Sequence, residues 1–148
     1  MKQNFILVAI LLATLSIVNA LPHQLNKRAT TFIPCPGNIP FITTTLTPDP
    51  PTGAGANELI TISGTLPNPV VAGSKLVIGT FDPTGTPIGA PLTLDFCTMN
   101  GATCPEEYFS LIQPVTMPSP LPTSYMIITA INDPNGNALG CSVGTINT

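Results

Sequence analysis

Residues 124–146, SYMIITAINDPNGNALGCSVGTI, contain two apolar runs separated by a turn signal. The Asp-Pro-x-Gly sequence at 133–136 places each residue type where a type I turn prefers it. In the second run, Leu139, Cys141 and Val143 recur at every second position, which is the period of a strand with one face in the core. The stretch therefore predicts two β-strands on either side of a turn.

The same alternation of short apolar runs and turn signals continues toward the N-terminus. A second Asp-Pro-x-Gly turn occurs at 82–85, and Ile60 and Ile62 again alternate on one face. No helical period lasts for several turns, and most prolines fall between the runs, which together predicts an antiparallel β-sandwich of about seven strands. The predicted strands are residues 41–47, 57–64, 75–81, 90–96, 107–113, 124–131 and 138–146.

The N-terminal region has the organisation of a secretory leader. Lys2 precedes an apolar run at 5–18, and Ala20 ends a small-residue cleavage signal. The run is too short to span a membrane comfortably. The dibasic pair Lys27–Arg28 ends either a pro-segment or a charged linker. We predict a signal peptide over residues 1–20, a pro-segment over 21–28 and one mature domain over 29–148, secreted or retained in the lumen of the secretory or vacuolar pathway.

The predicted mature domain carries very few basic groups. Lys75 is its one basic residue against seven acidic residues, so its net charge is −6, and the single histidine, His23, lies in the predicted pro-segment. Such a domain has no electrostatic footprint for nucleic acid. It also lacks a polybasic patch for anionic membranes. Electrostatic binding to either partner is therefore not expected.

Two of the four cysteines, Cys97 and Cys104, lie in the sequence LDFCTMNGATCP at 94–105. A zinc site needs closer spacing and more ligands, and a redox pair favours Cys-x-x-Cys, so neither fits. Four cysteines in a small secreted domain indicate two disulfides, for which three connectivities exist. We interpret Cys97–Cys104 as a short bond across a turn, with Cys35 paired to Cys141.

The mature domain also lacks the groups that enzymatic chemistry requires. Histidine-dependent triads are excluded in a domain without histidine, and no free thiol is expected. Glu106 and Glu107 are adjacent, but neighbours on a strand point to opposite faces and do not share a substrate. We therefore predict a protein that is not an enzyme and that uses no cofactor and no metal.

Three segments together resemble the ML family of lipid-recognition domains. They are PDPPTGAGANELITISGTLPNPVVAGSKLVIGTF at 48–81, LDFCTMNGATCP at 94–105 and MPSPLPTSYMIITAINDPNGNALGC at 117–141. In this family a strand ends in a cysteine before a short loop and a Cys-Pro pair, and a proline-flanked tyrosine strand precedes the last cysteine. The resemblance extends over about residues 32–146 and is greatest to the fungal phosphatidylglycerol/phosphatidylinositol transfer branch, with the small Niemann–Pick type C sterol carrier as a relative.

The resemblance implies an immunoglobulin-like sandwich whose sheets enclose a lipid cavity, with the bonds Cys35–Cys141 and Cys97–Cys104. It implies a monomeric carrier that binds the apolar part of a sterol or phospholipid and touches membranes transiently to exchange it. The alternative is a secreted interaction module of the cell wall or surface, with a filled core and no lipid.

The candidate cavity lining is the inward stripe of each strand, although a sandwich core without a ligand needs the same residues. A buried Tyr125 hydroxyl needs a partner, either a ligand oxygen or nearby backbone. Phe96 with Met99 is a candidate apolar rim, and Lys75 is a candidate headgroup contact. The proposed lining residues are Ile60, Ile62, Leu76, Ile78, Phe96, Phe109, Leu111, Tyr125, Ile127 and Ile131.

Overall fold

Two antiparallel β-sheets packed face to face form the domain in the computed structural model, which describes residues 29–147. All seven predicted strands form, and a short additional strand precedes them. The strands are β1 Phe32–Pro34, β2 Thr43–Thr47, β3 Asn57–Val70, β4 Lys75–Phe81, β5 Leu92–Asp95, β6 Glu106–Thr116, β7 Ser124–Asn132 and β8 Ala138–Asn147, with one 3-10 turn at Phe96–Thr98.

The larger sheet has the strand order β1-β8-β7-β4-β5, and the smaller sheet has the order β2-β3-β6. The predicted turns connect the strands of the larger sheet as expected. The amide of Gly136 donates to the carbonyl of Asp133 at 3.0 Å, and Gly85 donates to Asp82 in the same way at 3.0 Å. These are the bonds that close a type I turn, so both turn predictions are confirmed.

Most prolines of residues 29–147 lie between strands as predicted, but a few lie within them. Pro67 and Pro69 lie in β3, where the pairing with β6 shifts register between Thr65 and Val70. Pro114 lies in β6, an edge strand of the smaller sheet. Irregular pairing and sheet edges are the two places where a strand tolerates the missing amide hydrogen, which explains how these strands extend beyond their predicted ends.

The face of β8 that enters the core is opposite to the predicted one. The buried stripe of β7 pairs in register with Gly140, Ser142, Gly144 and Ile146, which are therefore the inward residues. Cys141 is on the other face, where it bonds to Cys35. The predicted alternation along β8 was correct. The outer face of this strand is also partly covered, so its apolar residues resemble those of a core face.

Both disulfides of the sequence analysis, Cys35–Cys141 and Cys97–Cys104, are present. The first holds the segment that crosses from β1 in one sheet to β2 in the other. The amide of Cys141 donates to the carbonyl of Pro40 at 2.9 Å, which fixes the same crossing. The second bond closes the loop between the 3-10 turn and β6.

Gly140 gives the sharpest packing test of the core. A Cβ atom added there would lie 2.6 Å from Ile42 Cγ2 and 2.8 Å from Leu66 Cδ2. We expect Gly140→Ala to lower the free energy of unfolding by about 1–3 kcal/mol, because neighbours in a close-packed core must shift. Urea denaturation measures the change.

Gly64→Ala is the matched control, since its added Cβ would meet its nearest atom, in the ring of Phe109, at 3.3 Å. A smaller loss of stability is expected there, and equal losses at the two positions would contradict the packing of Gly140 against Ile42 and Leu66.

The predicted signal peptide, pro-segment and Lys27–Arg28 cleavage site lie outside the described residues. Over residues 29–147, no helix has the length and apolar character needed to cross a membrane.

Candidate functional site

The ten residues predicted to line a cavity all lie between the two sheets. Each is at most 4 % exposed, and together they belong to one continuous core cluster. The rings of Phe96 and Phe109 meet edge to face at 5.4 Å, which adds a specific contact across the core. The structure therefore brings the predicted residues together and packs them against one another in the core.

Burial corrects one further prediction, and an ion pair locates another candidate residue. Phe96 is fully buried, so it belongs to the core and not to an exposed rim, while Met99 packs against that core from the loop. Lys75 lies on the surface, where its Nζ atom is 3.1 Å from Oδ2 of Asp95. Its charge is therefore paired at the surface.

Three buried polar atoms in the described part of the chain have no hydrogen-bond partner. They are Oε2 of Glu58, the hydroxyl of Tyr125 and Oγ1 of Thr129. Such atoms are uncommon because an unpaired polar group in a dry interior loses its water without compensation. All three are on inward strand positions, Glu58 on β3 and the other two on β7.

Glu58 is a buried residue that was not predicted from the sequence pattern. It is 1 % exposed, and its Oε1 atom accepts hydrogen bonds from the amide of Thr52 at 2.9 Å and the hydroxyl of Thr52 at 3.2 Å. The other carboxylate oxygen, Oε2, has no hydrogen-bond partner. The signal was present in the sequence, since Glu58 precedes Ile60 and Ile62 by two and four residues and therefore shares their face.

Tyr125 is also 1 % exposed, and the structure gives its hydroxyl no backbone partner within residues 29–147. Burial raises the pKa of this phenol, and the negative charge of Glu58 raises the pKa further. The hydroxyl therefore stays protonated and retains a hydrogen to donate. The predicted alternative, in which nearby backbone satisfies Tyr125, is not what the structure contains.

Thr129 lies four residues further along the same face of β7. Its register partner is Ser142, whose hydroxyl is 2.7 Å from the hydroxyl of Thr44 on the opposite sheet. That buried hydrogen bond joins β2 of the smaller sheet to β8 of the larger one. Thr129 has no such partner, so unpaired hydroxyls stand on both sides of Ile127 along β7.

A pocket of about 440 Å³ opens at one edge of the sandwich, where the end of β8 lies near the loop that follows β2. Ile146 connects the pocket to the interior, because it is 1 % exposed and is the register partner of Tyr125. Pro50 stands two residues before Thr52, which holds Glu58. The lining residues are Ala29, Thr30, Thr31, Pro50, Thr145, Ile146 and Asn147.

Metal coordination is not supported by the arrangement of side chains. No group of three or more His, Cys, Asp or Glu residues within the described range could hold a metal ion.

The sequence matches no protein-family model and no curated protein. The structure is similar to chicken MD-1 complexed with lipid IVa, with a TM-score of 0.54 at 10% identity, covering 78% of this chain and 87% of that chain. It is also similar to a Niemann-Pick type C2 protein from the Japanese carpenter ant, with a TM-score of 0.55 at 13% identity, covering 79% of this chain and 98% of that chain. These likenesses confirm the predicted immunoglobulin-like β-sandwich.

Proposed function

We propose that this chain is a lipid-binding protein of the ML family, which encloses the apolar part of a sterol or phospholipid between its sheets and carries it through water. One observation carries the proposal: an apolar interior contains buried polar atoms, on Glu58, Tyr125 and Thr129, that nothing in residues 29–147 satisfies. The shared fold supports it, since the MD-1 structure is a complex with lipid IVa.

Burial of apolar surface supplies enough free energy for this function. Each methylene removed from water contributes about 0.8 kcal/mol, so ten methylenes of an acyl chain contribute about 8 kcal/mol. The side chains that fill the interior must move apart to admit them. Within residues 29–147, the two sheets are joined by the hydrogen bonds near Cys141, the Thr44–Ser142 hydroxyl contact and the bonds from the Thr30 amide to the Asp49 carboxylate, so separating the sheets breaks few polar interactions.

The two disulfides support a secreted or lumenal location, because such bonds persist in oxidising compartments. We propose that the protein acts there as a monomer, with transient membrane contact during lipid exchange.

The second candidate is an interaction module with a filled core, and the packing favours it in one respect. All ten predicted lining residues are already buried against one another. The outer face of β3 and β6 also exposes large apolar side chains, with Tyr108 70 %, Ile112 62 % and Leu59 45 % exposed. A protein that binds partners through this face needs no internal ligand.

Native mass spectrometry of the protein purified from a eukaryotic secretory host separates the two candidates. We expect a monomer that carries one lipid, identified by extraction, and that takes up a fluorescent sterol or phospholipid after the lipid is removed. Repeated absence of bound lipid, together with failure to take up either probe, would contradict the lipid-carrier function and favour the interaction module.

A further inference from the structure

The unpaired oxygen of Glu58 requires a hydrogen-bond donor. No basic side chain within residues 29–147 pairs with it, because Lys75 is the one basic residue there and is paired with Asp95 on the surface. A ligand with a phosphate group would place a second negative charge beside this carboxylate. At low local dielectric such like charges repel strongly, so an anionic headgroup fits poorly beside Glu58.

The unpaired hydroxyl of Tyr125 offers the complementary half of the site. Burial and the charge of Glu58 both raise the pKa of this hydroxyl, so it stays protonated. It can therefore donate a hydrogen bond to an oxygen. A ligand hydroxyl both donates and accepts a hydrogen bond. One alcohol group therefore has the chemistry that both residues lack, a donor for Oε2 of Glu58 and an acceptor for the hydroxyl of Tyr125.

The pocket at the sandwich edge lies beside these two residues. Ile146 belongs to the pocket wall and is the register partner of Tyr125, and Pro50 is in the loop whose Thr52 holds Glu58. A lipid that enters here with its tail first reaches the apolar interior past Ile127. Its polar end then stops next to Glu58 and Tyr125.

We propose that Glu58 and Tyr125 bind the hydroxyl group of an uncharged lipid alcohol, and that the pocket between residues 29–31, Pro50 and residues 145–147 is the way in. The site selects a sterol or long-chain alcohol over an anionic phospholipid. This inference rests on the proposed function and narrows its substrate class.

Competition against bound dehydroergosterol tests the assignment of Tyr125. Cholesterol is expected to compete at least tenfold better than its 3-deoxy analogue, because the deoxy compound leaves both protein groups unpaired. Tyr125→Phe is expected to weaken the binding of cholesterol about fivefold and to leave the binding of the 3-deoxy analogue unchanged. The melting temperature of the lipid-free variant should also rise, because the change removes a buried unsatisfied hydroxyl. Tyr108→Phe, on the exposed outer face, should alter neither property.

Competition with phosphatidylglycerol tests the assignment of Glu58. Glu58→Gln is expected to lower the ratio of cholesterol affinity to phosphatidylglycerol affinity by about tenfold, because it removes the charge that opposes the phosphate. Glu107→Gln, at an exposed position of β6, is the matched control and should leave the ratio unchanged. A long-chain fatty alcohol as competitor shows whether a sterol ring or the hydroxyl alone is recognised.

The outcomes distinguish this inference from the function on which it rests. If wild-type protein binds dehydroergosterol but Tyr125→Phe does not change the preference for the 3-deoxy analogue, water alone satisfies the two groups and the inference is overturned. Preference of the wild type for phosphatidylglycerol also overturns it while leaving lipid binding intact. Failure of the wild type to bind any of these lipids overturns both.

Discussion

Replacing Cys35 and Cys141 together by alanine is expected to lower the free energy of unfolding by about 4.8 kcal/mol, about twice the loss expected at the other disulfide. The two residues are 106 positions apart in the chain. A bond that closes so long a loop removes much of the conformational entropy of the unfolded chain. It also anchors the crossing between the sheets, where Cys141 bonds to the backbone of Pro40.

The double replacement of Cys97 and Cys104 is the internal control. Their separation is 7 residues, for which the same entropy argument gives about 2.4 kcal/mol. Urea denaturation of both variants and the wild type measures the two losses. A loss at Cys97–Cys104 equal to or greater than that at Cys35–Cys141 would show that the short bond stabilises the native loop directly, contrary to the chain-entropy account.

The strands were predictable wherever local chemistry decided them. The Asp-Pro-x-Gly sequences at 82–85 and 133–136 specify their turns through residues adjacent in sequence, and the structure forms both. The short strand β1 was not predicted, because it consists of three residues that pair with β8 more than a hundred positions away. The inward face of β8 was assigned wrongly because pairing across the sheet, and not the local sequence, determines it.

The candidate site was predictable in its apolar part and not in its polar part. Alternating apolar residues identify a core stripe, and all ten of them are buried as expected for a sandwich. Glu58 was overlooked because a lone acidic residue usually faces water, and only the opposite sheet and Thr52 explain its burial. Whether the ten residues contact a lipid stays a prediction, since a filled core and a closed binding site have the same packing.

Replacing Ile127 by tryptophan is expected to abolish uptake of dehydroergosterol and to leave a folded domain. Ile127 is at the inward centre of β7, the middle strand of the larger sheet, and it faces Gly144 across the pairing with β8. An indole there takes the volume that a lipid tail needs once the sheets separate. The two disulfides hold the fold while the interior expands to accept the larger ring.

Ile127→Ala changes the volume in the opposite direction and is the companion variant. It costs about 2–5 kcal/mol of stability but enlarges the interior, so uptake should persist or increase in the folded protein. Ile112→Trp adds the same indole to the exposed outer face and should leave uptake unchanged. Circular dichroism establishes folding, and fluorescence titration measures uptake in each variant. Undiminished uptake by folded Ile127→Trp would place the lipid elsewhere than between the sheets. Loss of uptake in folded Ile127→Ala would contradict a volume effect, because a larger interior cannot exclude a ligand by size.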